Sequence, residues 1–181
     1  MSGCIGGFWR SCREKHTERR LKPSLRAEAH ATFLPDWPIS ATVSALYFTG
    51  IDLRGLLAAE GSFCESRFYD ADLSGSELAG AQFHRARLYH SNLRDTNARE
   101  ANFVGAKIDH CDFSRSAAAA ANFFRAEITQ CIFRGADLQG CDFHEARIQG
   151  VDFRGANLRG AEGLTEDQIA RAITDDKTVL P

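Results

Sequence analysis

The chain has no apolar run near the roughly 18 residues that a membrane-spanning helix needs. It also has almost no excess charge: 22 Lys and Arg stand against 24 Asp and Glu, a net of −2. The first lack argues against a membrane span, and the second removes any global attraction for nucleic acid. Close cysteine pairs are missing too, the six cysteines being dispersed without a Cys-x-x-Cys. The first twenty residues lack the apolar core of a secretory signal. Ser2 stands where myristoylation requires glycine, and Cys4 has no apolar run before it to make a lipoprotein site. A reducing cytoplasm is the expected compartment. What remains, with 44% hydrophobic and 25% charged residues over 181 positions, is a globular chain of one domain with at most a modest appendage.

Repetition is what the chain has in abundance. From Leu53, every fifth residue to Leu158 is apolar and most are large: of these 22 positions, 19 are Phe, Leu or Ile, and three are Ala. Two residues earlier runs a second series of mostly small residues, such as Ala71, Ala101, Cys111 and Ala156. Asp or Asn often stands between the two series, as in Ala71-Asp72-Leu73, and Gly often closes the unit, as at Gly75 and Gly135. A period of five fits neither a helix nor a simple strand. The chain must turn once per unit and return each large residue to the interior.

A square coil of four units meets that demand, and the residues twenty apart test it. Phe63, Phe83, Phe103, Phe123 and Phe143 form one file without exception. Phe68, Leu88, Ile108, Ile128 and Ile148 form the next, and Ala58, Ala98 and Ala118 concentrate in a third. A period of five alone would not sort residues this way.

The pattern resembles the pentapeptide-repeat family, with unit A(D/N)LXX, over about Ile51 to Ala161, with imperfect units extending back to Val43 or Phe48. The resemblance implies an all-β solenoid, a right-handed quadrilateral parallel β-helix with short helical caps at both ends. A little over five coils gives a rod roughly 25 Å tall at the ~4.8 Å strand spacing. Three segments are expected: an N-terminal basic arm or cap over 1–45, the β-helix over 46–163, and a capping helix and tail over 164–181.

In the tail, Thr165 and Gln168 have capping-box spacing, with Leu164 and Ile169 as a hydrophobic staple. Ile169, Ala172 and Ile173 share one face, expected to sit over Phe153 and Leu158. The closing Asp176 to Pro181 carries no evident chemistry. In the arm, Pro23 to Leu34 suits a short helix, and Phe33, Leu34 and Trp37 are apolar enough to cover the first coil. Seven basic residues there face four acids. That balance also allows a nucleic-acid, lipid or organelle-addressing arm, against which the interspersed acids count.

Candidate chemistry is thin. Cys111 and Cys131 stand one coil apart in small inward slots, where packing outweighs a disulfide. Cys4, Cys12 and His16 match no zinc spacing. His90 and His110 stack at an outward corner between Asp70 and Gln130, a ladder suited at most to a divalent metal or a pH response. No catalytic residue, metal or cofactor is expected.

The surface is left to act. Tyr69 and Tyr89 share one outward file, and Val104 and Phe124 another. Two basic stripes include Arg94, Arg134 and Arg154, and Arg67, Arg87, Lys107 and Arg147. Arg134→Glu with Arg154→Glu is expected to spare folding while weakening an acidic partner's binding. An alanine-rich side (Ala58, Ala98, Ala117, Ala118, Ala119, Ala120) is expected to be flat enough to pack against a second copy. Dimerisation through the C-terminal helix is a further implication of the resemblance, since gyrase-binding members dimerise there.

These features favour a non-enzymatic scaffold presenting a rigid rod to a protein partner, with nucleic acid not expected as one. The resemblance supplies an alternative, a DNA mimic that inhibits or protects DNA gyrase. Such a rod would need about one negative charge per 1.7 Å of axis. Residues 51–163 hold 16 acids against 13 bases, far short of that density.

Overall fold

A computed structural model describes residues 45–181. The expectations for the N-terminal arm, including the helix over 23–34, the cover by Phe33, Leu34 and Trp37, and Cys4, Cys12 and His16, lie outside the described residues.

The backbone winds as a right-handed four-sided parallel β-solenoid of about five turns. One side is built from six three-residue strands, β1 (Tyr47–Thr49), β2 (Arg67–Tyr69), β3 (Arg87–Tyr89), β4 (Lys107–Asp109), β5 (Glu127–Thr129) and β6 (Arg147–Gln149). They pair in sequence order at a register of twenty, Phe68 opposite Leu88 and Leu88 opposite Ile108. The other three sides carry single parallel bridges at the same offset, such as Asp52 with Asp72, Leu57 with Glu77 and Ser62 with Gln82.

The unit Asn102 to Ala106 shows why five residues suffice. Asn102 N–H donates down to Ala81 O (2.9 Å), while Phe103 N–H donates up to Asn122 O (2.7 Å). Gly105 N–H reaches Phe124 O (2.9 Å), and Ala106 N–H closes the turn on Phe103 O (2.9 Å). That leaves Val104 N–H, which donates to the Asn102 side chain at 3.0 Å. Asp or Asn is therefore the residue that satisfies the one donor the backbone cannot, as buried or half-buried amides require. The fifth residue turns the corner with a left-handed φ, 64° at Gly105 and 51° at His90. Glycine adopts this conformation without strain and the other residues adopt it at a cost.

The core is a stack of rings. Phe83, Phe103, Phe123 and Phe143 are wholly buried, and their centroids follow one another at 4.9, 5.0 and 5.0 Å with planes within 12°. A second column holds Phe113 and Phe133 at 4.8 Å. It meets the first edge-on, at 6.0 Å between Phe103 and Phe113. Ala98 and Ala118 belong to the same core and are completely buried.

That last fact corrects the expectation of an alanine-rich outer face. Ala58, Ala98 and Ala118 point inward and present nothing to a second copy. The outward file on that side reads Leu57, Glu77, Asn97, Ala117, Asp137 and Asn157. It is mixed rather than flat and apolar, although Leu57 is 60% exposed.

The C-terminal cover is also built differently from expectation. Helix α1 (Glu166–Arg171) has its capping box, with Thr165 Oγ1 accepting from Gln168 N–H and the Gln168 side chain accepting from Thr165 N–H. At six residues it is too short to lay an apolar stripe on the coil below, and it buries no residue; Ile173 is 50% exposed. The tail caps with backbone instead. Phe153 N–H donates to Ile173 O (2.8 Å), and Leu158 N–H to Val179 O (2.7 Å). The segment 176–181, which carries no evident chemistry, closes the last coil, aided by Thr178 Oγ1 donating to Phe153 O at 3.1 Å. Leu164 and Ala172 pack against the core from above.

Candidate interaction surface

In a three-residue strand the first and third side chains point outward and the second inward. On β2 and β3 this places Arg67 and Arg87 in one file and Tyr69 and Tyr89 in the next. The two tyrosine rings stack at 5.1 Å with planes 9° apart, and both are half-buried. On β1, Tyr47 covers the Arg67 guanidinium at 4.7 Å. Beyond the tyrosines, His90 and His110 stack at 4.9 Å, and His110 Nδ1 lies 3.1 Å from Asp109 Oδ1. Among the described residues no group of three or more His, Cys, Asp or Glu side chains converges as a metal site would.

Val104 and Phe124 are one coil apart and half-buried. Arg125 lies over the Phe124 ring at 4.8 Å and pairs with Glu145 at 2.7 Å, so this file is partly roofed by an ion pair.

Arg94, Arg134 and Arg154 stand on a different side, and each is tied to a carboxylate. Arg94 pairs with Asp112 at 3.0 Å, and Arg134 and Arg154 both pair with Asp152 at 2.7 Å. The Asp152 side chain is only 5% exposed. Its arginines are therefore part of the fold rather than a free basic stripe, which overturns the expectation that both could become Glu harmlessly. Such a change would leave a buried carboxylate facing two more.

The guanidinium of Arg154, then that of Arg134, holds the Asp152 carboxyl down at about 2, below its usual 3.8. A depressed carboxylate contributes stability above its unfolded value, and that contribution is lost as pH falls from about 3.8 through about 2. The shift corresponds to about 2 kcal/mol. Denaturant titrations between pH 5 and 2 are expected to show a smaller acid-induced loss of stability in Asp152→Asn than in wild type. Identical slopes would contradict the assignment.

The three inward cysteines are packing residues. Cys111, Cys131 and Cys141 are buried free thiols. Cys131 Sγ donates to Thr129 O at 3.2 Å. Burial pushes Cys141 up to about 12, and Cys111 is also raised well above the ordinary range by burial.

The residues singled out in sequence thus do not form one site. Tyr69 and Tyr89 come together, Val104 and Phe124 lie in another file, and the three arginines sit apart. Missed in sequence were Tyr47, which belongs to the file of Arg67 and Arg87, and Arg85 at the adjoining corner. The register of twenty could have placed both.

Among the described residues no helix is long and apolar enough to cross a membrane. A family model for pentapeptide repeats matches residues 76–115 and 121–160, in eight copies. No curated protein matches the chain. Among solved structures, one similar protein is HetL, a pentapeptide repeat protein involved in heterocyst differentiation regulation in the cyanobacterium Nostoc sp. strain PCC 7120. It is 22% identical, with 82% of this chain and 75% of that one covered and a TM-score of 0.47. Another is a pentapeptide repeat protein from the Arabidopsis thaliana thylakoid lumen, at 21% identity, 76% and 80% coverage and a TM-score of 0.45. QnrB1, a plasmid-mediated fluoroquinolone resistance protein, shows 18% identity, 74% and 70% coverage and a TM-score of 0.44.

Proposed function

Because the chain belongs to the pentapeptide-repeat family, we propose that it is a non-enzymatic binding protein that presents a rigid β-helical rod to a protein partner. The observation that carries this reading is the Tyr69–Tyr89 stack, two large rings held outward at 5.1 Å on a sheet whose other face is a solid core. Rings fixed in this way bury apolar area on docking while losing little conformational freedom, and tyrosine is enriched where protein interfaces concentrate their energy.

The alternative, a DNA-shaped rod acting on gyrase, draws no support from the surface. Asp95, Asp112, Glu127, Glu145 and Asp152 are each paired with a base, and with 13 bases against 16 acids over 51–163 the rod carries little of the net negative charge of a phosphate backbone.

Two measurements test the reading. In a gyrase supercoiling assay the purified protein is expected neither to inhibit nor to protect against a quinolone, and potent activity of either kind would reverse the preference. In a pull-down, a protein partner is expected with the wild type and not with Tyr69→Ser combined with Tyr89→Ser. Equal recovery by both would remove the tyrosine stack from the argument.

A further inference from the structure

Ion pairing on this rod is uneven. Lys107 pairs with Glu127, Arg115 with Asp95, Arg125 with Glu145, Arg94 with Asp112, and Arg134 and Arg154 with Asp152. Among the described residues, Arg67, Arg85 and Arg87 form no ion pair. The three line the same groove, of about 280 Å³, together with Ala45, Tyr47 and Glu65. Three cations thus face one carboxylate there.

The groove is ordered for binding. The Arg67 guanidinium lies over the Tyr47 ring at 4.7 Å, a contact that engages the cation without taking up its N–H donors. Arg85 at the corner and Arg87 at the start of β3 are exposed on either side of buried Ala86. Along the strands, Arg67 lies opposite Arg87 and Tyr69 opposite Tyr89, so β2 and β3 present the same Arg-x-Tyr face twice in register. The ring faces of Tyr69 and Tyr89 are turned to each other, so neither ring can have a base stacked on both of its faces. Guanidinium forks beside an apolar tyrosine edge match carboxylates on a polypeptide.

We propose that this groove, with Arg67, Arg85 and Arg87 as its cations and the Tyr69–Tyr89 stack beside it as an apolar shelf, is the docking site for an acidic, Glu- or Asp-rich segment of a protein partner lying across β1 to β3. The inference rests on the scaffold reading above and adds the place and the chemistry of contact.

The test uses the full chain and a labelled poly-glutamate peptide, read by fluorescence anisotropy, with a poly-thymidine oligonucleotide and inorganic phosphate as comparators. The peptide is expected to bind, to weaken as salt is raised, and to lose at least ~10-fold in affinity in Arg85→Glu combined with Arg87→Glu. Arg85→Gln with Arg87→Gln, which adds no new charge, is expected to weaken binding in the same direction. Arg99→Glu with Arg159→Glu, on another side, is expected to bind as wild type does. An unchanged melting curve for each variant confirms that folding is intact. No peptide binding, equal binding by the groove variants, or tighter groove-dependent binding of the oligonucleotide would overturn the proposal. So would complete displacement of the peptide by millimolar phosphate, which would mark a simple anion site. Failure here leaves the scaffold reading standing if Tyr69 and Tyr89 still govern partner recovery, and a gyrase effect would remove that reading without touching the peptide result.

Discussion

Phe103→Asp is expected to abolish the cooperative fold of the rod. Phe103 is wholly buried, with the rings of Phe83 and Phe123 at 4.9 and 5.0 Å on its two faces and Phe113 edge-on at 6.0 Å. Removing a buried phenyl ring alone costs about 3–5 kcal/mol. The carboxylate that replaces it finds no donor, because the backbone N–H groups of 102–106 are all engaged. Ionised or protonated, it adds a desolvation penalty to the lost packing. The total competes with the whole stability of a domain, about 5–15 kcal/mol. The position matters too: coil stability in a solenoid depends on both neighbours, so a defect in the middle uncouples the coils above and below. Far-UV circular dichroism should show no β-helix melt for Phe103→Asp. Phe103→Leu, which substitutes a residue already used in other core files, should retain one at lower temperature. A Phe103→Asp melt matching wild type would mean that the Phe column is not what holds the coils together.

How far the sequence could be read follows from where the information resides. The coil register, the Phe column and the turn-bonding Asp and Asn were legible because each repeats at five and again at twenty residues. The Thr165–Gln168 cap was legible because it is local. The alanine side was misread because Ala58, Ala98 and Ala118 belong to the inward file, and only Ala117, Ala119 and Ala120 reach the surface. Arg94 and Arg134 were misread because their partners are set by the offset between coils. Arg94 reaches Asp112 and Arg134 reaches Asp152, each 18 residues ahead, a spacing that belongs to neither period. The tail departs from the register altogether. Asp152 bridges to Ile173 and Asn157 to Val179, so the offset grows beyond twenty, and backbone groups rather than side-chain types make the contacts. Hydrogen bonds between backbone groups leave little trace in residue identity.

Gly163→Ala is expected to lift that tail from the rod. Gly163 follows the last residue held in strict register, since Asp142 bridges to Glu162 and Phe143 N–H donates to Glu162 O at 2.8 Å. The chain then turns at a φ of 81°, and a Cβ at Gly163 would overlap the backbone N and Cα of His144 and lie 2.6 Å from the Phe143 carbonyl carbon. These are backbone atoms fixed in a coil, so they cannot swing aside as a side chain could. Either Glu162 leaves its place or everything beyond it does, and the second breaks fewer contacts. Strain of this kind, overlap together with a left-handed φ, is on the order of a few kcal/mol. Losing the tail removes the Ile173 and Val179 acceptors from the Phe153 and Leu158 amides and the Ala146 contact of Gln168. The last coil would then present an unpaired strand edge, an open invitation to edge-to-edge association. Gly160→Ala is the internal control. Gly160 has a φ of 67° but open space around its Cβ position, and the equivalent corners at His90 and Glu100 already carry side chains. It should cost only the left-handed strain, about 1–2 kcal/mol. The measurements are amide exchange at Phe153 and Leu158, the melting temperature and elution on size exclusion. Fast exchange with association in Gly163→Ala, and neither in Gly160→Ala, is the expected result. If both variants exchange alike, the tail is held by something other than the ladder of Ile173 and Val179, and the rod is closed by a means other than its own backbone.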